Sequence, residues 1–106
     1  MKNDRFLKIQ EEVNELVIDL LVPLRNEKRV NKEAFSKLYI YLDELVQLTK
    51  GEVFINRNLV GLLFLIYTTV RAEAEHTHYT SEIFIQAAEL EDYLNRILRD
   101  RTFEEI

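Results

Sequence analysis

Leu59-Val60-Gly61-Leu62-Leu63-Phe64-Leu65-Ile66-Tyr67 is the stretch on which the fold turns. A run this apolar reads either as a strand buried on both faces of a parallel sheet or as a helix that is apolar around its whole circumference. Three features choose the helix. Asn56 stands ahead of the run as a cap, the run is long for a strand, and no other segment offers a good strand partner. Such a helix is either the most buried member of its domain or leaves an apolar face for a partner. Gly61, inside it, costs about 1 kcal/mol in a helix interior and is expected where another backbone approaches closely.

Working outward, the other helix starts repeat the Asn56 device. Asn56 is flanked by the stapled pair Ile55 and Val60, Asn31 by Val30 and Phe35, and Thr80 by Tyr79 and Phe84. Upstream, Asn3 or Asp4 caps a first helix with Phe6, Ile9, Val13, Leu16 and Leu20 on its inner face, and Pro23 is expected to stop it near Val22. The second helix carries Phe35, Leu38, Leu42 and Leu45 and ends at Gly51, a residue suited to the left-handed position after a helix. The fourth carries Ile83, Ala87, Leu90, Leu94 and Ile97. The predicted helices are 4–22, 32–50, 57–77 and 81–99. With short connections they make an all-α, antiparallel, up-down-up-down four-helix bundle, one domain over 1–106. That topology brings the loops after helices one and three to the same end.

Composition agrees with this plan. The chain has 106 residues with two glycines and one proline, too few turn residues for a barrel or sandwich of many short strands. It has no cysteine, which removes disulfide scaffolds, thiolate metal sites and cysteine nucleophiles together. The start MKNDRF carries no apolar run of a secretory signal, and 53–70 holds too few apolar residues to span a bilayer. A soluble, cytoplasmic protein is expected. The net charge of -5 opposes DNA as a partner, and nothing in the pattern asks for a cofactor or a metal.

Chemically capable side chains concentrate in Arg71-Ala72-Glu73-Ala74-Glu75-His76-Thr77-His78-Tyr79. Glu73 with His76, and Glu75 with His78, have the Glu-x-x-His spacing of di-metal helices, but such a site needs a second pair on another helix and the chain has no further histidine. Arg71 and His76 form Arg-x-x-x-x-His, which resembles the motif of the small helical HEPN ribonucleases. The resemblance implies a metal-independent nuclease in which the arginine steadies phosphate charge and the histidine moves a proton, with Tyr79 one residue later than the tyrosine of the most similar toxins. Glu73 and Glu75 put negative charge where an RNA phosphate would lie. The plain alternative is a solvated last helical turn and loop, with the histidines favoured by the helix dipole.

A second cluster, Arg25, Lys28, Arg29 and Lys32, is expected at the same end of the bundle. Together with His76, His78 and Tyr79 it forms a candidate partner-binding patch, or else a solvated end that serves solubility. Of the five tyrosines, Tyr39 and Tyr67 fall at core or boundary positions, whereas Tyr41 lies off the stripe and is expected to be exposed.

From Ile55-Asn56-Arg57 through Leu59-Val60 and Leu62-Leu63-Phe64 to Tyr67, and again at Tyr79-Thr80-Ser81-Glu82, the chain resembles the immunity proteins that protect bacteria from class IIa, pediocin-like bacteriocins. The resemblance implies a cytoplasmic four-helix bundle without catalysis that recognises a toxin-engaged membrane receptor through its C-terminal half. Many members are basic, whereas this chain is acidic. The expectation is therefore a small non-enzymatic interaction protein, an immunity protein, antitoxin or inhibitor acting on a protein partner, with helix three or four as a face for a homodimer. A HEPN-like ribonuclease is the alternative.

Overall fold

A computed structural model describes residues 2–78 and 81–99. It contains four helices, α1 (Lys2–Glu27), α2 (Lys32–Thr49), α3 (Arg57–Ala74) and α4 (Glu82–Arg99), and no strand among the described residues. Polar contacts between helices fix their directions. Arg5 on α1 pairs with Glu44 on α2, and Tyr41 Oη donates to Glu12 at 3.2 Å, so α1 and α2 are antiparallel. Tyr67 Oη donates to Glu91 at 3.2 Å, and Arg71 and Ala74 lie beside Phe84, so α3 and α4 are antiparallel too.

The remaining two pairings are parallel. Tyr39 donates to Gln86 and Tyr93 to Asp43, joining α2 to α4. Gln10 and Asn14 lie beside Asn58 and Leu62 at one level, and Lys28 meets Glu73 at another, joining α1 to α3. The main packing partners are α1 with α2 and α3, and α4 with α2 and α3. Consecutive helices therefore alternate in direction, but α2 and α3 are not the adjacent neighbours that short connections suggest. They face each other across the diagonal, and residues 50–56 cross that diagonal at one end of the bundle.

The core is one cluster drawn from all four helices, with Ile9, Val13, Leu20 and Leu24 of α1, Phe35, Leu38, Leu42 and Leu45 of α2, and Leu59, Ile66 and Val70 of α3 fully or almost fully buried. α4 contributes Ile83, Ala87, Leu90, Tyr93 and Ile97. The phenol ring of Tyr93 takes the inner position assigned from sequence to Leu94, which is only half-buried. Its ring can be buried there because its hydroxyl reaches a partner on α2.

Several boundaries differ from the sequence expectation for physical reasons. α1 begins at Lys2, so Asn3 and Asp4 are inside the first turn, where Asp4 still meets the positive end of the helix dipole. It also runs through Pro23 to Glu27 instead of stopping near Val22. Proline forfeits one backbone hydrogen bond, to the carbonyl of Asp19, a residue on the exposed face. Continuing the helix buries Leu24 completely, and burial of a leucine, about 1.5–3 kcal/mol, offsets much of that cost. The helix then closes on Lys28, whose backbone is left-handed with φ 53°. The amides of Lys28 and Arg29 bond back to the carbonyls of Leu24 at 3.1 Å and Pro23 at 3.2 Å.

α2 begins as expected, with Asn31 Oδ1 accepting from the Ala34 amide at 3.1 Å, and past its end Gly51 takes φ 75°. The Asn56 side chain accepts from the amides of Asn58 and Leu59, capping α3. α3 ends at Ala74, three residues short of 77, because the Thr77 hydroxyl donates to the Ala74 carbonyl at 2.8 Å and the chain turns away. The expected cap Thr80 and its neighbour Tyr79 lie outside the described residues. Ser81 caps α4: its Oγ accepts from the Phe84 amide at 3.1 Å and donates to Thr77 Oγ1 at 2.7 Å, clasping the two ends of the α3–α4 turn. Gly61 is exposed and a Cβ built on it meets nothing within 4 Å, so no backbone approaches it closely.

Candidate functional site

Three places gather chemically capable or exposed apolar side chains. The first is the end where α1 and α3 finish and α2 and α4 begin, which brings the basic cluster beside the His-containing turn as the topology requires. Acids are interleaved among the cations. Lys28 pairs with Glu73, Arg29 with Glu27 at 2.8 Å, and Lys32 with Glu82 at 3.3 Å. Among the described residues Arg25 is the one member of the four without an ion pair. A ligand arriving here must compete with carboxylates already in place, so the field of this end is much weaker than four free cations would make it.

In the neighbouring turn, α3 has ended by Ala74, so Glu73 with His76 and Glu75 with His78 do not share a helical face. Among the described residues no group of three or more histidine or acidic side chains is placed to hold a metal. Arg71 is exposed on the last turn of α3 with Glu75 4.0 Å away. It borders a hollow of about 320 Å³ with Ala74, Glu75, Thr77 and Phe84, whereas His76 and His78 are exposed and outside that described lining. Tyr79, the third residue of the ribonuclease reading, lies outside the described residues.

The second place is the joint between α2 and α4. The rings of Tyr39 and Tyr93 stack with centroids 5.4 Å apart, Tyr39 donates to Gln86, Tyr93 Oη donates to Asp43 at 2.7 Å, and the Arg96 guanidinium lies 5.2 Å over the Tyr93 ring. Burial pushes the phenol of Tyr39 well above its ordinary value. Burial and the bond to Asp43 push Tyr93 up to about 12. Both phenols are thus held neutral, as donors in a structural joint. Sequence reading missed this cluster because it depends on α2 and α4 being parallel neighbours, a tertiary fact. Tyr41, expected to be exposed, is half-buried against the core and bonded to Glu12.

The third place is the flank between α3 and α4. The all-round apolar run of α3 buries Leu59, Leu63 and Ile66 but leaves Phe64 60% exposed and Leu65 49% exposed. Across a shallow hollow of about 260 Å³ stands Leu98 of α4, 42% exposed, with Tyr67 and Leu94 between and Glu91, Asn95 and Arg99 completing the lining. The core face of this helix is filled, and apolar side chains remain outside it. No described helix is long and apolar enough to cross a membrane. Comparison with models of protein families, with curated proteins and with solved structures finds no match.

Proposed function

We propose that this chain is a non-catalytic binding protein of the kind to which immunity proteins, antitoxins and inhibitors belong, and that it holds a protein partner against the α3/α4 flank. The observation that carries the reading is the pairing of Phe64 and Leu98 across one hollow with a polar margin. A phenylalanine left in water forgoes about 1.5–3 kcal/mol of burial. Covering the pair in a complex recovers part of that, and aromatic anchors inside a polar rim are where binding energy concentrates. The basic end is the weaker candidate, since three of its four cations are tied to acids of the same chain.

The test places a photoreactive phenylalanine in turn at Phe64, at Leu98 and, as a control, at the exposed Ser36 of α2. The expected result is one and the same adduct from positions 64 and 98 and none from 36. Adducts no stronger at 64 and 98 than at 36 would remove the flank from consideration. An adduct of exactly twice the chain's own mass would identify a second copy as the occupant, which sedimentation of the chain alone then checks.

A further inference from the structure

The loop 50–56 is held firmly on both sides of its tip. Gly51 turns the chain at φ 75°, the Glu52 amide bonds to the Thr49 carbonyl at 3.0 Å, and the Glu52 carboxylate meets Lys2 Nζ at 2.7 Å. Beyond the tip, Ile55 is half-buried and Asn56 caps α3 through two amides. Yet Val53 and Phe54, between these anchors, are 85% and 89% exposed, the two most exposed large apolar side chains described. A loop that crosses the end of the bundle could fold such residues inward over the core, and here it turns them outward while its flanks are pinned. Leu7, itself half exposed, borders a groove with Phe54 and extends the apolar tip.

Among the described residues, charge around the tip has one sign in excess. Lys50 stands three residues before Val53 and Arg57 three residues after Phe54, both exposed, and among the described residues neither makes an ion pair. Among the described residues the acids nearby are Glu52, already tied to Lys2, and Asp4 in the first turn of α1. The end that carries the Arg25 cluster has its cations largely neutralised, so among the described residues the loop end is the one that presents more unpaired cations to an anionic surface.

We infer that this loop rests the chain on an anionic lipid bilayer, with Val53 and Phe54 entering the boundary between headgroups and acyl chains and Lys50 and Arg57 among the phosphates. Adjacent apolar side chains between flanking cations have the vertical order of that boundary. A tip standing almost clear of its own chain suits a fluid surface that closes around it, where a protein would need a matching hollow. Two apolar side chains and two cations make a weak, reversible contact. The inference is independent of the α3/α4 flank, which lies along the side of the bundle.

The chain has no tryptophan, so Phe54→Trp supplies a single emitting indole at the tip. With phosphatidylglycerol vesicles we expect its emission to shift to the blue and the protein to sediment with the vesicles. Phosphatidylcholine vesicles should leave both unchanged, and added salt or Lys50→Glu with Arg57→Glu should abolish the effect. Val53→Trp is the second reporter should Phe54→Trp lower the melting temperature, and Ser36→Trp is the control for adsorption without orientation. Unchanged emission with anionic vesicles overturns the inference, as does an equal shift on phosphatidylcholine or an equal shift at position 36. A shift produced only by a purified protein partner overturns it in favour of a protein occupant.

Discussion

Tyr93 on α4 and Asp43 on α2 are joined by a 2.7 Å hydrogen bond that holds two parallel, sequence-distant helices at a fixed register. The Tyr93 ring is nearly buried and stacks on Tyr39, so the bond closes a joint that apolar packing has already formed. Tyr93→Phe should cost about 1.5 kcal/mol, the low end of the range for a hydrogen bond to a charged acceptor because Asp43 is exposed, with the stacking retained. Burial of the Tyr93 phenol, reinforced by the same bond, predicts a pH effect. The folded chain holds the Tyr93 phenol at about 12, above its ordinary 10.0, so the unfolded chain loses this proton first. The associated stability is present below pH 10 and is lost as pH rises from about 10 towards 12. Urea unfolding across that window should show a downward slope that Tyr93→Phe makes shallower.

The two glycines should respond in opposite directions. Gly61 is helical, exposed and has open space where a Cβ would go, so Gly61→Ala should stabilise the chain by about 0.5–1 kcal/mol. Gly51 holds φ 75°, and Gly51→Ala should destabilise it by about 1–2 kcal/mol despite equally open surroundings. Urea midpoints of the two variants measure the pair.

Lys28 has the left-handed backbone that glycine prefers, while its ammonium pairs with the largely covered Glu73. Lys28→Gly and Lys28→Ala lose the ion pair equally, and only glycine relieves the backbone. Lys28→Gly should therefore be more stable than Lys28→Ala by about 1 kcal/mol, read from chemical denaturation.

Within α3 the two faces should separate cleanly. Ile66→Ala removes a side chain buried against all its neighbours and should cost about 2–5 kcal/mol. Phe64→Ser, on the outer face, should cost at most about 1 kcal/mol. Thermal melting of both variants decides whether α3 carries the core on one side only.

The features that the sequence made legible are local ones. Asn31, Asn56 and Gly51 each act on backbone groups within a few residues, and no tertiary contact is needed to predict them. Pro23 is also local, but much of its penalty is offset by burial of Leu24, a contribution that exists only once the other helices are in place. The diagonal crossing of 50–56 is invisible in hydrophobic periodicity, because every helix has the same inner stripe whichever neighbour it meets. From that crossing follow the parallel α2/α4 joint and the choice of Tyr93 over Leu94. The basic cluster was correctly brought to the end shared with the His-containing turn, but its pairing with Glu73 and Glu82 required residues more than forty positions away.

The central claim is that the apolar α3/α4 flank, and not the basic end, holds the partner. The most direct measurement compares the affinity of the protein captured at positions 64 and 98 for the wild-type chain, for Phe64→Ser with Leu98→Ser, and for Arg25→Glu with Arg29→Glu, each with its melting curve. The account predicts a loss of about tenfold or more, roughly 1.4 kcal/mol, for the flank variant and less than about threefold for the basic-end variant, both melting near the wild type. Unchanged affinity in the flank variant, with the loss confined to the basic-end variant, would contradict it.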